Sequence, residues 1–174
     1  MLQLILTQTP KWVWALLVAL LWLGFSQTVS RTASLKRITL MPLAMIGLSI
    51  FGTLSVFGTH PSIVLAWLGA GAVALVLISR IKQSAAVKYN VEKRLFSLPG
   101  SWVPLVLILG IFVTKYIVGL MTGMQPSLAQ DANFALYFSI IYGAFSGVFL
   151  ARAAGLWRMA FQAEKSLANG MSRA

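Results

Sequence analysis

Residues 101–122 read SWVPLVLILGIFVTKYIVGLMT, apolar throughout except for one basic residue, Lys115. About 20 apolar residues rising ~1.5 Å each cover the ~30 Å hydrocarbon core of a bilayer. The stretch is therefore read as a transmembrane helix. It decides the class of the whole chain, because the remaining sequence repeats its character on both sides.

Working outward, four further apolar runs are expected to span, giving crossings at about 12–29, 38–57, 61–78, 101–122 and 133–151 and a cytoplasmic tail at 152–174. The expectation is an all-α integral membrane protein, with residues 1–174 forming a single transmembrane helical-bundle domain. Residues 1–10, MLQLILTQTP, are too short to span and lack a basic signal-peptide region, so the first helix is expected to stay in the mature protein. Pro42 falls in the first turns of the second span, where a missing N–H costs little. The connection Gly58–Pro61 is tight enough to force an antiparallel hairpin. On the third span Ala66, Gly69, Ala70 and Ala74 share one face, and Gly71 adjoins it.

The longest polar segment, 79–100, alternates Val87, Tyr89 and Val91 with Lys88 and Asn90, then Phe96 with Ser97. Period two with valine and tyrosine points to a small cytoplasmic β-hairpin between helices 3 and 4, with an irregular surface loop as the other reading. The connection SRTASLKR, 30–37, is read as a loop. Beyond 151 the helix can extend into water, with Leu156, Met159, Ala163 and Leu167 as an apolar stripe.

Composition agrees with the class. The chain is 59% hydrophobic and 10% charged, against about 45–50% and 25% in soluble domains. The net charge of +11 invites a nucleic-acid reading, which is rejected because a basic patch needs a soluble face to present it. Twelve of the fourteen lysines and arginines fall instead in the 30s loop, the 80–100 segment and the tail. Lys11 alone marks the other side. Basic loops stay cytoplasmic, which puts the amino end outside and the carboxyl end inside. Trp12 and Trp14 then sit at one interface and Trp102 and Trp157 at the other.

Lipid tails are as apolar as leucine, so helices must associate through close packing and interhelical hydrogen bonds. Gly143, Ser146 and Gly147 supply such a small-residue surface on the fifth span. Lys115 is the unexpected residue. A central lysine costs about 2.5–3.5 kcal/mol on the insertion scale, while each Leu, Ile, Phe or Val returns about 0.3–0.6. The span has a dozen such residues, so it still inserts. Three readings of Lys115 stay open: a lysine snorkelling outward, a lock between spans four and five, or a charge in a polar cavity that binds an anion, a lipid headgroup or a proton. Depth along the hairpin names Ser139 and Tyr142 as neighbours, with Tyr137 nearer the surface.

The segments Thr9-Pro-Lys-Trp-Val-Trp14, Leu98-Pro-Gly-Ser-Trp-Val-Pro-Leu105, Phe112-Val-Thr-Lys-Tyr-Ile-Val-Gly119 and Tyr142-Gly-Ala-Phe-Ser-Gly-Val-Phe-Leu-Ala-Arg152 carry a resemblance. Over nearly its whole length the chain resembles a family of small multi-pass bacterial inner-membrane proteins of unknown function. The resemblance implies the bacterial inner membrane as location and implies no activity.

The chain has no cysteine, one histidine and three carboxylates, Glu92, Asp131 and Glu164, scattered over loops and tail. No catalytic residue, metal site or cofactor is expected from such a set. The function expected is a non-enzymatic structural or partner-binding helix bundle. The alternative is a small transporter or channel-like protein using Lys115. Expected partners are the lipid bilayer, anionic lipid at the cytoplasmic face and another membrane protein.

Overall fold

The computed structural model describes residues 10–81, 87–91, 93 and 95–171. In chain order these form helix α1 (Lys11–Phe25), strand β1 (Arg31–Ser34), α2 (Leu35–Phe57), α3 (Pro61–Ser79), strands β2 (Lys88–Asn90) and β3 (Leu95–Leu98), α4 (Val103–Met124), a 3-10 turn (Pro126–Gln130) and α5 (Ala132–Met171). The protein is mostly helical, and α2, α3, α4 and α5 are each long and apolar enough to cross a membrane. Large apolar side chains such as Trp22, Leu40, Phe51, Leu65 and Val106 project outward from the bundle, where hydrocarbon rather than water would solvate them.

The helix ends follow local chemistry. Ser34 caps α2, its Oγ accepting the Arg37 N–H at 3.4 Å. This start lies three residues before the expected one, so Pro42 sits two turns inside the helix, and the Ile38 carbonyl loses its usual donor. Gly58 ends α2 at φ +76°, a conformation open to glycine, and Pro61 opens α3.

α1 stops at Phe25, short of the expected span end at Val29. Its 15 residues cover only about 22 Å. The Ser26 and Thr28 hydroxyls donate back to the Leu23 and Phe25 carbonyls at 2.6 and 2.8 Å. The following turn folds onto the segment before α4, where the Ser101 N–H donates to the Gln27 carbonyl at 3.0 Å. The apolar run itself ends at Phe25: Ser26, Gln27 and Thr28 are polar, and their hydrogen bonds turn the chain before Val29.

α5 runs on for 40 residues, about 60 Å, twice the hydrocarbon thickness. Its first half packs closely along α3 and then α2, while α1 lies against α4. Its second half carries the sheet. β3 is the central strand, antiparallel to β2 (Tyr89 opposite Phe96) and to β1 (Ala33 opposite Phe96). The expected hairpin is therefore present as β2–β3. β1 replaces what was read as loop: four residues with a single apolar side chain carry no strand signal of their own, and they pair because β3 offers an open edge. The turn residues Glu92 and Arg94 lie outside the described set.

Phe96 is fully buried and joins Ala33 and Ile38 against Ala160, with Leu156 and Met159 beside them. Ala160 lies on the face of the expected stripe, four residues after Leu156, and two of the stripe's residues, Leu156 and Met159, pack on the cluster with it. The Tyr89 hydroxyl donates to Glu164 Oε1 at 3.0 Å, and the Trp157 indole N–H to Thr39 Oγ1 at 3.0 Å. Arg31 Nη2 donates to Gln27 Oε1 at 3.0 Å. Burial first, and the charge of Arg37 second, push the Arg31 pKa down.

Candidate functional site

The polar atoms inside the helical part converge where α2, α3 and α5 meet. Trp67 on α3 donates its indole N–H to Ser49 Oγ on α2 at 3.0 Å. Ser49 Oγ donates to the Tyr142 carbonyl on α5 at 3.2 Å, and Ser146 Oγ donates to the same carbonyl at 2.9 Å. Thr53 Oγ1 satisfies the Ser49 carbonyl at 2.9 Å. Three helices are thereby joined through one serine and one carbonyl with two lone pairs.

Such an approach needs backbones that nearly touch. A methyl group on Gly143 would overlap the Trp67 carbonyl, and one on Gly147 would overlap the Gly71 carbonyl and stand 2.8 Å from Ala74 Cβ. The α3 face in contact is thus Trp67, Gly71 and Ala74, one helical repeat of three and four residues. Gly69, placed on the small-residue face in the sequence reading, has open space at its Cβ position.

Lys115 enters this junction from α4. Its ammonium stands 5.6 Å from the centroid of the Tyr142 ring, within cation–π range. It also lies against Gly52 on α2, where a methyl group would collide with Nζ. Tyr142 is 3% exposed. Neither the ammonium nor the Tyr142 hydroxyl has a hydrogen-bond partner among the described residues.

Ser139 is fully buried one turn along α5, and its Oγ has no partner among the described residues. Tyr137 is 63% exposed and stacks edge-on against the Phe138 ring at 5.4 Å. The structure therefore brings Lys115 and Tyr142 together, keeps Ser139 on the same buried side of α5, and leaves Tyr137 outside. Gly52 is the neighbour that sequence reasoning missed. The spacing of Ser49, Gly52 and Thr53 marks a small-residue stripe on α2, but nothing in it points to Lys115.

The two described carboxylates lie elsewhere. Asp131 caps α5, its Oδ1 accepting the Phe134 N–H at 2.8 Å. Glu164 is held by Tyr89 near the far end of the same helix, roughly 50 Å away at 1.5 Å per residue. The arrangement at Lys115 is a cation over an aromatic face with a glycine at its side. Chemically it can tether helices or attract an anion. No ion pair joins it to a carboxylate among the described residues.

A comparison with curated protein sequences and with solved structures returns no match. Residues 1–166 match a family of unknown function, DUF6622, and the chain belongs to that family.

Proposed function

We propose that the protein is a non-enzymatic membrane bundle of five crossings, with its amino end outside and its carboxyl end in the cytoplasm of a bacterium. It works as a structural or partner-binding element of the inner membrane. One observation carries this reading: hydrogen bonds tie three helices together, Trp67 to Ser49 and Ser49 to the Tyr142 carbonyl. Reactive chemistry would need convergent acids and bases, and the two described carboxylates sit at opposite ends of α5. The sheet and the second half of α5 lie with the basic connections Arg31, Arg37, Lys88 and Arg158, which supports a cytoplasmic location for that end.

The chain has no cysteine, so single cysteines at His60 and Lys88 report topology without background. In inverted and right-side-out vesicles, a membrane-impermeant maleimide is expected to reach each position from a different compartment. Reaction of both from one compartment would end the five-crossing reading.

A second reading, a small transporter or channel-like protein, is favoured by one observation: Lys115 turns toward other helices, against Gly52 and the Tyr142 ring, with no ion pair among the described residues. Lys115→Met separates the two. As a tether it is worth about 0.5–2 kcal/mol, the range of a cation–π contact. The variant should then unfold some degrees lower in detergent, with anion flux in proteoliposomes equal to the wild type. Unchanged stability with lost flux would select the transporter.

A further inference from the structure

We propose that Lys115 holds the phosphate of a bilayer phospholipid that enters sideways between α2 and α4. The inference rests on the membrane-spanning reading above and names a ligand for the same lysine.

No carboxylate among the described residues neutralises this charge. The chain's only carboxylates are Glu92, Asp131 and Glu164, and no apolar span contains one. Asp131 is engaged in capping α5, and Glu164 lies at the sheet-bearing end. The Tyr142 ring face satisfies part of the ammonium, but three N–H donors remain without acceptors among the described residues.

The surroundings fit an oxyanion that carries an apolar tail. The backbones of α2 and α4 stay apart and the space between them is spanned by side chains, Phe57 and Val118 on the buried side, while Lys115 is only half buried there. On the α2 side Gly52 leaves room for the ammonium. On the α4 side Gly119, one turn beyond Lys115 on the same face, has open space where a Cβ would stand. Gly52 is five residues from the end of α2 at Phe57, about 7 Å. A phosphate drawn down by that distance keeps its acyl chains along the exposed apolar faces of both helices. Charge complementarity and lateral access therefore select an anionic phospholipid over a soluble anion, which would have to cross hydrocarbon to arrive.

The test uses the full chain, purified in nanodiscs of phosphatidylcholine with phosphatidylglycerol, delipidated stepwise and counted by native mass spectrometry. The cationic connections hold lipid in every variant, so the readout is the difference from wild type. Lys115→Met and Gly119→Leu are each expected to lose one retained phosphatidylglycerol per chain, with affinity at that site falling roughly tenfold or more. Gly69→Leu, an equally open position on α3, should retain the wild-type number. Gly119→Leu keeps the lysine and adds its side chain to open space, so it carries the test even where Lys115→Met folds poorly. Inorganic phosphate added to pure phosphatidylcholine discs should leave the melting temperature unchanged. Equal lipid retention in wild type and Gly119→Leu overturns the proposal, as does stabilisation by inorganic phosphate alone. A failure of the maleimide topology test would instead overturn the crossing number and leave the lipid count as a separate result.

Discussion

Gly143→Leu is expected to unfold the bundle or lower its stability by about 3 kcal/mol or more. Overpacking in a close-packed site costs about 1–3 kcal/mol when side chains can move aside. Here the obstacle is backbone. The added Cβ alone would overlap the Trp67 carbonyl, so the two backbones must separate to admit it. Separation also breaks the bond from Trp67 to Ser49 and the one from Ser49 to the Tyr142 carbonyl. Interhelical bonds of this kind average about 0.6 kcal/mol in a membrane, with a maximum near 1.7. The steric term therefore dominates and the hydrogen bonds add to it. Gly69→Leu on α3 is the matched control: the same change in residue type, with nothing within 4 Å of the new Cβ. Thermal unfolding in detergent should show a large loss for Gly143→Leu and a shift near zero for Gly69→Leu. Equal melting temperatures would mean that α3 and α5 do not meet at this glycine.

The two substitutions also mark how far the residues could be read in advance. Gly143-x-x-x-Gly147 is visible as a packing surface because the spacing alone fixes a helical face. Its partner is not visible, since the third span offers glycines at 69 and 71 and only the rotation of α3 decides between them. The helices themselves follow from apolar runs punctuated by Gly58, Pro61 and Pro104. Two boundaries escape that logic for one reason. Residues 26–29 are mostly polar yet could still be counted into a span of ordinary length, and Arg31–Ser34 carry no strand pattern; both segments are held by contacts to residues 95–101 far along the chain. Around Lys115, counting depth down a helical hairpin finds Tyr142 on the neighbouring helix. It also admits Tyr137, because depth says nothing about azimuth. Five residues of α-helix turn Tyr137 about 140° away from Tyr142, onto the exposed face. Gly52 stays hidden because α2 is not adjacent to α4 in sequence.

Gly100→Ala is expected to cost about 2–4 kcal/mol and to loosen the sheet together with the end of α1. The Cβ of an alanine at this position would clash with the Thr28 carbonyl. The turn after α1 must then lift away from the segment before α4. Lifting it breaks the bond from the Ser101 N–H to the Gln27 carbonyl and disturbs the edge contact between the Phe25 and Trp102 rings, whose centroids are 6.0 Å apart. β1 begins three residues beyond Thr28, so the displacement passes into its pairing with β3, and through Ala33 into the cluster around Phe96 and Ala160. This makes Gly100 the hinge between the helical part and the sheet, and it gives the Pro-Gly-Ser-Trp segment a physical requirement: no side chain fits under the returning turn. Hydrogen exchange separates this account from a local defect. In Gly100→Ala the amides of Leu95–Leu98 should exchange faster along with those of the α1 end, while α3 keeps its protection. Gly123→Ala, beyond which nothing lies within 4 Å, should leave every segment as it is. If Gly100→Ala speeds exchange only at its own turn, the sheet is held by α5 alone, and the coupling through Thr28 is absent.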